Sequence, residues 1–193
     1  MDIELNLNRH YTYADYLTWM DDVRRELIDG FIKLFPAPRS LHAKVSKNIY
    51  RHLDFVVMKN KGRCEVFYAP FDVRLPKNGE TANNKIRTVV QPDICVVCDP
   101  SKIDDYGCLG APDMIIEILS PTTGKRDLNE KFLLYEESGV KEYWVVYPKD
   151  EAVHVFLLQD NGKYDEGYVY EREGKVPVHV FDGYLIDFNE IFQ

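Results

Sequence analysis

The sequence predicts an α/β (α+β) domain with a mixed central sheet flanked by helices and additional β-hairpins toward each end. Three observations carry this. Leu41, Val45, Ile49, Leu53 and Val56 recur at helical spacing and form one apolar stripe that ends near Lys59. Apolar runs at 65–75, 89–97, 113–119 and 142–147 are short enough to be strands, and the last is rich in aromatic and β-branched residues. Asp29-Gly30 and Asn161-Gly162 each stand between two such runs, where hairpin turns belong.

The elements follow in order. Thr12 is placed to cap a short helix reaching Met20, with Asp15 as its capping-box partner. Residues 26–28 and 31–35 make a hairpin, because Asp-Gly suits a type I′ turn. Ser40 caps the long helix. The segment 76–86, with Pro, Gly and Asn among charges, is a loop. A helix over 127–138 stops at Gly139. Residues 152–158 and 164–172 pair around Asn161-Gly162, and a short strand near 176–180 precedes a terminal turn. No repeat, low-complexity tract or linker divides the chain, so residues 1–193 read as one domain.

Composition narrows the function classes. No apolar run approaches the ~18 residues a membrane helix needs. The acidic start, Met-Asp-Ile-Glu-Leu, lacks a signal-peptide layout, which makes a cytoplasmic location the expectation. Free thiols are therefore expected at Cys64, Cys95, Cys98 and Cys108. Cys95 and Cys98 have a zinc-like spacing, but in a strand residues three apart face opposite sides, so they read as small core residues. A net charge of -8 disfavours DNA binding through the whole surface. Arg39, Lys44, Lys47, Arg51, Lys59, Lys61 and Arg63 nevertheless form a local basic stretch, either a groove wall or a solvated helix face.

Two acids stand out. Glu117 interrupts the run Asp113-Met-Ile-Ile-Glu-Ile-Leu119 and shares a face with Ile115 and Leu119. An unpaired carboxylate there costs several kcal/mol or takes up a proton, unless a cation or water reaches it. Asp93 directly follows Pro92 inside 89–97; proline cannot donate to a ladder and marks an edge or distortion. Carboxylates on adjacent strands that point to one spot suit a hard divalent cation, magnesium or manganese rather than zinc. Lys131, flanked by Leu128, Phe132 and Tyr135, borders the buried side of its helix. It either pairs with Asp127 at i,i+4 or serves as a cation toward phosphate. Glu26, Asp72 and His42 are supporting candidates; the first two are equally explained as outward strand residues, and His42 as a helix-start residue.

In order along the chain come Arg25-Glu-Leu-Ile-Asp-Gly30, Pro70-Phe-Asp-Val-Arg-Leu75, Val90-Gln-Pro-Asp-Ile94, Ala111-Pro-Asp113, Ile116-Glu-Ile-Leu-Ser-Pro-Thr-Thr123, Asp127 with Lys131 and Tyr135, and Gly139-Val-Lys-Glu-Tyr-Trp144. This set resembles the Uma-type putative restriction endonuclease family of the PD-(D/E)xK nuclease superfamily, over nearly the whole chain. The resemblance implies a restriction-endonuclease-like fold, a divalent Mg or Mn cofactor, DNA phosphodiester hydrolysis and a homodimer. It makes Asp93 the acid of the Pro-Asp motif and Glu117 the acid of the second motif, both on the metal. Leu119 stands where a lysine is usual, so the resemblance moves the lysine role to Lys131. The competing reading is a catalytically silent module that binds nucleic acid or protein on the same fold. The acidic net charge favours that module; the joint presence of Asp93, Glu117 and Lys131 favours the nuclease, because buried acids destabilise a fold that has no ion to hold.

Overall fold

The structure is a computed structural model that describes residues 5–21, 23–34, 39–60, 62–119, 125–171 and 174–193, without the side chains of 60 and 125–127. Helix α1 (Tyr13–Tyr16) precedes strands β1 (Arg25–Ile28) and β2 (Phe31–Leu34). Helix α2 (Ser40–Asn60) leads to β3 (Glu65–Tyr68), β4 (Val73–Arg74), β5 (Val89–Val90), β6 (Ile94–Val97), β7 (Ile103–Asp104), β8 (Gly107–Leu109) and β9 (Met114–Ile118). Helix α3 (Lys125–Ser138) is followed by β10 (Glu142–Tyr147), β11 (Ala152–Leu157), β12 (Tyr168–Glu171), β13 (Lys175–Val178), β14 (Tyr184–Asp187) and α4 (Phe188–Phe192). No helix among the described residues is long and apolar enough to cross a membrane.

The main sheet has six strands in the order β12-β11-β10-β9-β6-β3. It is mixed: β9 and β10 are parallel, with α3 as the crossover that parallel strands require, and the other pairs are antiparallel. One face, with Ile94, Val96, Ile116 and Trp144, packs on Val45, Ile49 and Leu53 of α2 and on Val176, Ile186 and Phe188 of the C-terminal segment. The other face, with Cys95, Val97, Ile115 and Tyr143, meets Leu134 and Tyr135 of α3 and Val73, Val90 and Cys108 of a second sheet. Burial on both sides is why β9 and β10 read as continuous apolar runs rather than alternating ones. The mixed sheet flanked by helices is therefore as the sequence predicts.

Several details differ. The second sheet also has six strands, in the order β2-β1-β5-β4-β8-β7, so the N-terminal hairpin is its edge rather than free-standing. Its strands β4, β5, β7 and β8 are two or three residues long, too short to leave a readable period. The run 89–97 is not one strand: β5 and β6 lie in different sheets, and the chain passes between them at Pro92, which has no N–H for either ladder. The run 65–75 divides likewise, at the cis Ala69-Pro70 bond, into β3 and β4. The helix capped by Thr12 ends at Tyr16, not Met20, although its capping box with Asp15 forms. Leu41 is exposed, so the buried stripe of α2 begins at Val45. Residue 164 forms only an isolated bridge with Leu158, and β14 with α4 occupies the expected terminal turn. Expectations at Phe35, Lys61, 120–123, Arg172 and the Asp127 side chain lie outside the described residues.

The cysteine expectation needs correction. Cys95 and Cys108 are free and buried, but Cys64 and Cys98 are disulfide-bonded. The antiparallel register that pairs Glu65 with Val97 brings residues 64 and 98 opposite each other one step further out. Cys95 packs on the second-sheet face and Cys98 on the α2 face, as the alternation of a strand demands.

Two turns bear on the site. Asp29 and Gly30 both have positive φ, 51° and 87°, as a type I′ turn requires. Gly107 has φ +113°, and a Cβ there would fall on the Asp72 carbonyl oxygen. Gly107→Ala is expected to cost about 2–3 kcal/mol. A urea midpoint unchanged from wild type would show that this crossing is not tight.

Candidate active site

Strand register places the two acids. β6 and β9 pair as Ile94↔Ile116 and Cys95↔Ile115, so one step outward Asp93 faces Glu117 on the same side of the sheet. Both side chains are buried. Asp93 Oδ2 accepts the Ile118 N–H at 2.8 Å, which anchors the carboxylate where the ladder ends after Pro92. The same oxygen lies 3.0 Å from His42 Nε2. Asp93 Oδ1 has no hydrogen-bond partner among the described residues; the Arg24 guanidinium is 3.9 Å away. Arg24 is itself held by donating to the Gln91 carbonyl at 2.6 Å.

Glu117 is anchored from the helix side. Its Oε1 accepts from Lys131 Nζ at 2.8 Å and from the Tyr135 hydroxyl at 2.7 Å. Lys131 and Tyr135 are four apart and so leave α3 on one face. Lys131 also donates to Glu26 Oε1 at 3.0 Å, and that oxygen accepts the Gln91 N–H at 2.9 Å. Glu26 Oε2 is buried with no hydrogen-bond partner among the described residues. Lys131 thus bridges two acids from β1 and β9, far more than a surface i,i+4 pair.

The electrostatics follow from burial. Glu117 is pushed up to about 7, first by loss of water and then by Asp93 and Glu26, against the pull of Lys131. Burial draws Lys131 down, but Glu117 and Glu26 outweigh it and hold the ammonium above the ordinary lysine range. The Tyr135 hydroxyl is raised by burial and then by Glu117, so it remains a donor. Among the described residues Lys131 lies against Glu26 and Glu117, and Arg24 lies 3.9 Å from Asp93.

Of the residues singled out from the sequence, Glu26, His42, Asp93, Glu117 and Lys131 come together. Asp72 does not join them directly. It accepts from the Tyr13 hydroxyl at 3.0 Å and from Gln91 Nε2 at 2.9 Å, fastening α1 to the second sheet. Arg24, Gln91 and the Tyr135 hydroxyl are additional members. Tyr135 had a signal in its spacing from Lys131; Arg24 and Gln91 had none, because their roles depend on which sheet each neighbour enters.

Each principal acid is pinned through one oxygen and keeps the other, Asp93 Oδ1 and Glu117 Oε2, without a hydrogen bond among the described residues. Such oxygens are hard donors and fit magnesium or manganese better than zinc. No group of three or more His, Cys, Asp or Glu among the described residues is arranged to hold an ion. An ion held by Asp93 and Glu117 alone would have to complete its shell with water and phosphate.

Comparison with known proteins agrees with this architecture. A chain described as a putative nuclease belonging to DUF820, from Anabaena variabilis, superposes with a TM-score of 0.73 at 23% identity, covering 94% of this chain and 97% of that one. That likeness speaks to the fold. An uncharacterized protein of Synechocystis sp., slr1290, is 25% identical over 155 residues, which are 77% of this chain and 74% of the relative. Residues 13–187 match the Uma2 family, described as "Putative restriction endonuclease", and the chain belongs to that family.

Proposed function

We propose that the protein is a metal-dependent endonuclease that hydrolyses DNA phosphodiester bonds. The observation that carries this is the double anchoring of Asp93 and Glu117. Each is fixed through one oxygen and offers the other on the same side of the sheet, beside a buried ammonium. Asp93 and Glu117 would hold magnesium or manganese, which when bound supplies charge neutralisation for the phosphate and a more acidic water.

The chain's own residues supply the rest. Lys131 keeps Glu117 oriented and places a permanent positive charge where negative charge grows as the phosphate is attacked. Tyr135 restricts rotation of the same carboxylate, and His42 does this for Asp93. Preorganised dipoles and charges of this kind cost no reorganisation during the reaction. Arg24, partly exposed beside Asp93, is positioned to meet the phosphodiester backbone.

Calorimetric titration of manganese and magnesium, followed by cleavage of plasmid and linear DNA, tests this reading. Binding and cleavage are expected in the wild type, with both lost in Asp93→Asn while the fold persists. A wild type that takes up manganese and cleaves no DNA would instead favour the silent binding module. Metal uptake and cleavage unaltered by Asp93→Asn would remove the proposed site.

A further inference from the structure

We propose that the cleft between α2 and β3 is a subsite for one unstacked nucleotide next to the scissile phosphate. Single-stranded or locally unpaired nucleic acid is then the preferred substrate. This rests on the nuclease reading and names the substrate class for the same site.

The cleft, about 390 Å³, is walled by His42, Lys47 and Tyr50 of α2, by Tyr68 of β3 and by Arg24, and it opens on Asp93. Its place beside the acid is set by the ladder. Tyr68 pairs with Ile94, and the next residue, Ala69, donates to the Asp93 carbonyl at 3.2 Å. Its volume is that of a small-ligand pocket.

Its chemistry is that of a nucleotide. Tyr68 is 60% exposed, yet it is not loose: Tyr50 meets it edge to face, with ring centroids 5.1 Å apart at 84°. A braced aromatic ring at the rim of a concave site is a platform on which a base stacks. Lys47 is exposed on the same wall, and Arg24 is fixed toward Asp93 by its bond to Gln91, so cations flank the platform on a chain of net charge -8. A second cleft, about 500 Å³, shares Arg24 and Ala69 with the first and carries Tyr16 and Trp19. The two clefts meet at Arg24 and Ala69, with Tyr50 and Tyr68 lining the first and Tyr16 and Trp19 the second. A duplex keeps its bases stacked inside and presents only phosphates and groove edges. A base enters a concave pocket only from a single strand or after flipping out. The aromatic walls are therefore of use to an unpaired strand and idle against a duplex.

Fluorescence anisotropy tests the proposal with one labelled oligonucleotide as a single strand, as a blunt duplex and as a duplex with an unpaired central bubble. Calcium replaces magnesium, and the salt is held fixed. Wild type is expected to bind the strand and the bubble about tenfold or more tighter than the duplex. Tyr68→Ala is expected to weaken strand and bubble binding at least about fivefold and duplex binding less than about twofold, with Tyr68→Phe restoring the wild-type pattern. Lys47→Ala should lower the salt slope by about one. Both side chains are exposed, so these variants leave the core intact. Equal or tighter binding of the duplex, an equal loss on all three forms in Tyr68→Ala, or no binding to any form overturns the proposal. Binding is read without cleavage, so the two readings fail separately. A protein that shows the strand preference but cuts nothing keeps the subsite and loses the nuclease. A protein that cuts duplex DNA, with binding indifferent to Tyr68, keeps the nuclease and loses the subsite.

Discussion

Replacing Lys131 with methionine is expected to lower the free energy of unfolding by about 3–5 kcal/mol at neutral pH. Methionine nearly matches the length of the lysine stem but leaves Glu26 and Glu117 buried without the ammonium that both contact. Glu26 Oε2 has no hydrogen-bond partner among the described residues, so without Lys131 this carboxylate keeps the Gln91 N–H on Oε1 and no ion-pair partner among those residues. For a chain of this size, such a loss lowers the thermal midpoint by roughly 2–4 °C per kcal/mol. Adding Glu26→Leu to Lys131→Met should recover part of the loss, because one of the two stranded charges is gone. Cleavage should fall about 10²–10³-fold in Lys131→Met, the scale for removing one preorganised charge from a reacting centre. Unfolding in urea, with cleavage assayed well below the midpoint, separates the two effects. A variant as stable as wild type would mean that Lys131 does not neutralise these acids.

The second large effect is a dependence of stability on pH that traces to Glu117. Its carboxyl is raised from 4.5 to about 7 in the folded protein. Below 4.5 both folded and unfolded chains hold the proton, and the contribution to stability is complete. Between 4.5 and 7 the unfolded chain releases the proton while the folded chain keeps it, so stability falls as pH rises and levels off above 7. The full drop is about 3 kcal/mol in metal-free protein, because each pH unit of separation corresponds to about 1.4 kcal/mol. Asp15, Asp21, Asp99 and Asp104 are lowered by hydrogen bonds and contribute in the opposite sense at more acid pH. The comparison that isolates Glu117 is wild type against Glu117→Gln, unfolded in urea across this window in EDTA. The variant should lose most of the downward slope, keeping the part that Glu142, also raised by burial, contributes, and should be the more stable of the two above pH 7. A shared slope would remove Glu117 as its source. At the proposed metal site manganese and the proton would compete for Glu117, so the expected wild-type affinity for manganese rises through pH 7 and then levels off.

Local pattern was enough for the long or strongly punctuated elements. The α2 stripe from Val45 onward, the Asp29-Gly30 turn, the Gly139 stop and the run Glu142–Tyr147 depend on residues near in sequence and appear as read, whereas Leu41, at the start of that stripe, is exposed. The acids were legible for a related reason: a carboxylate inside an apolar run is costly, and the cost shows in one dimension. Glu117 and Asp93 were therefore conspicuous before any pairing was known, as was the helix carrying Lys131.

Glu26 and His42 stood out only as supporting candidates, and which acid or cation each would meet was not legible, because that depends on pairings distant in sequence. Glu26 lies 105 residues from Lys131, and His42 lies 51 from Asp93. Each is an ordinary strand or helix residue until the sheets bring it in. The split of 89–97 between two sheets, the cross-strand meeting of Cys64 with Cys98 and the second sheet built of two- and three-residue strands share this origin. Hydrophobic period and turn chemistry act between near neighbours, so the chain itself specifies its helices, its hairpin and its costly acids. Which oxygen of each acid is tied down, and which is left to meet a cation, arises from the packing of β1, β6, β9, α2 and α3 against one another, where burial sets the charge of every group at once.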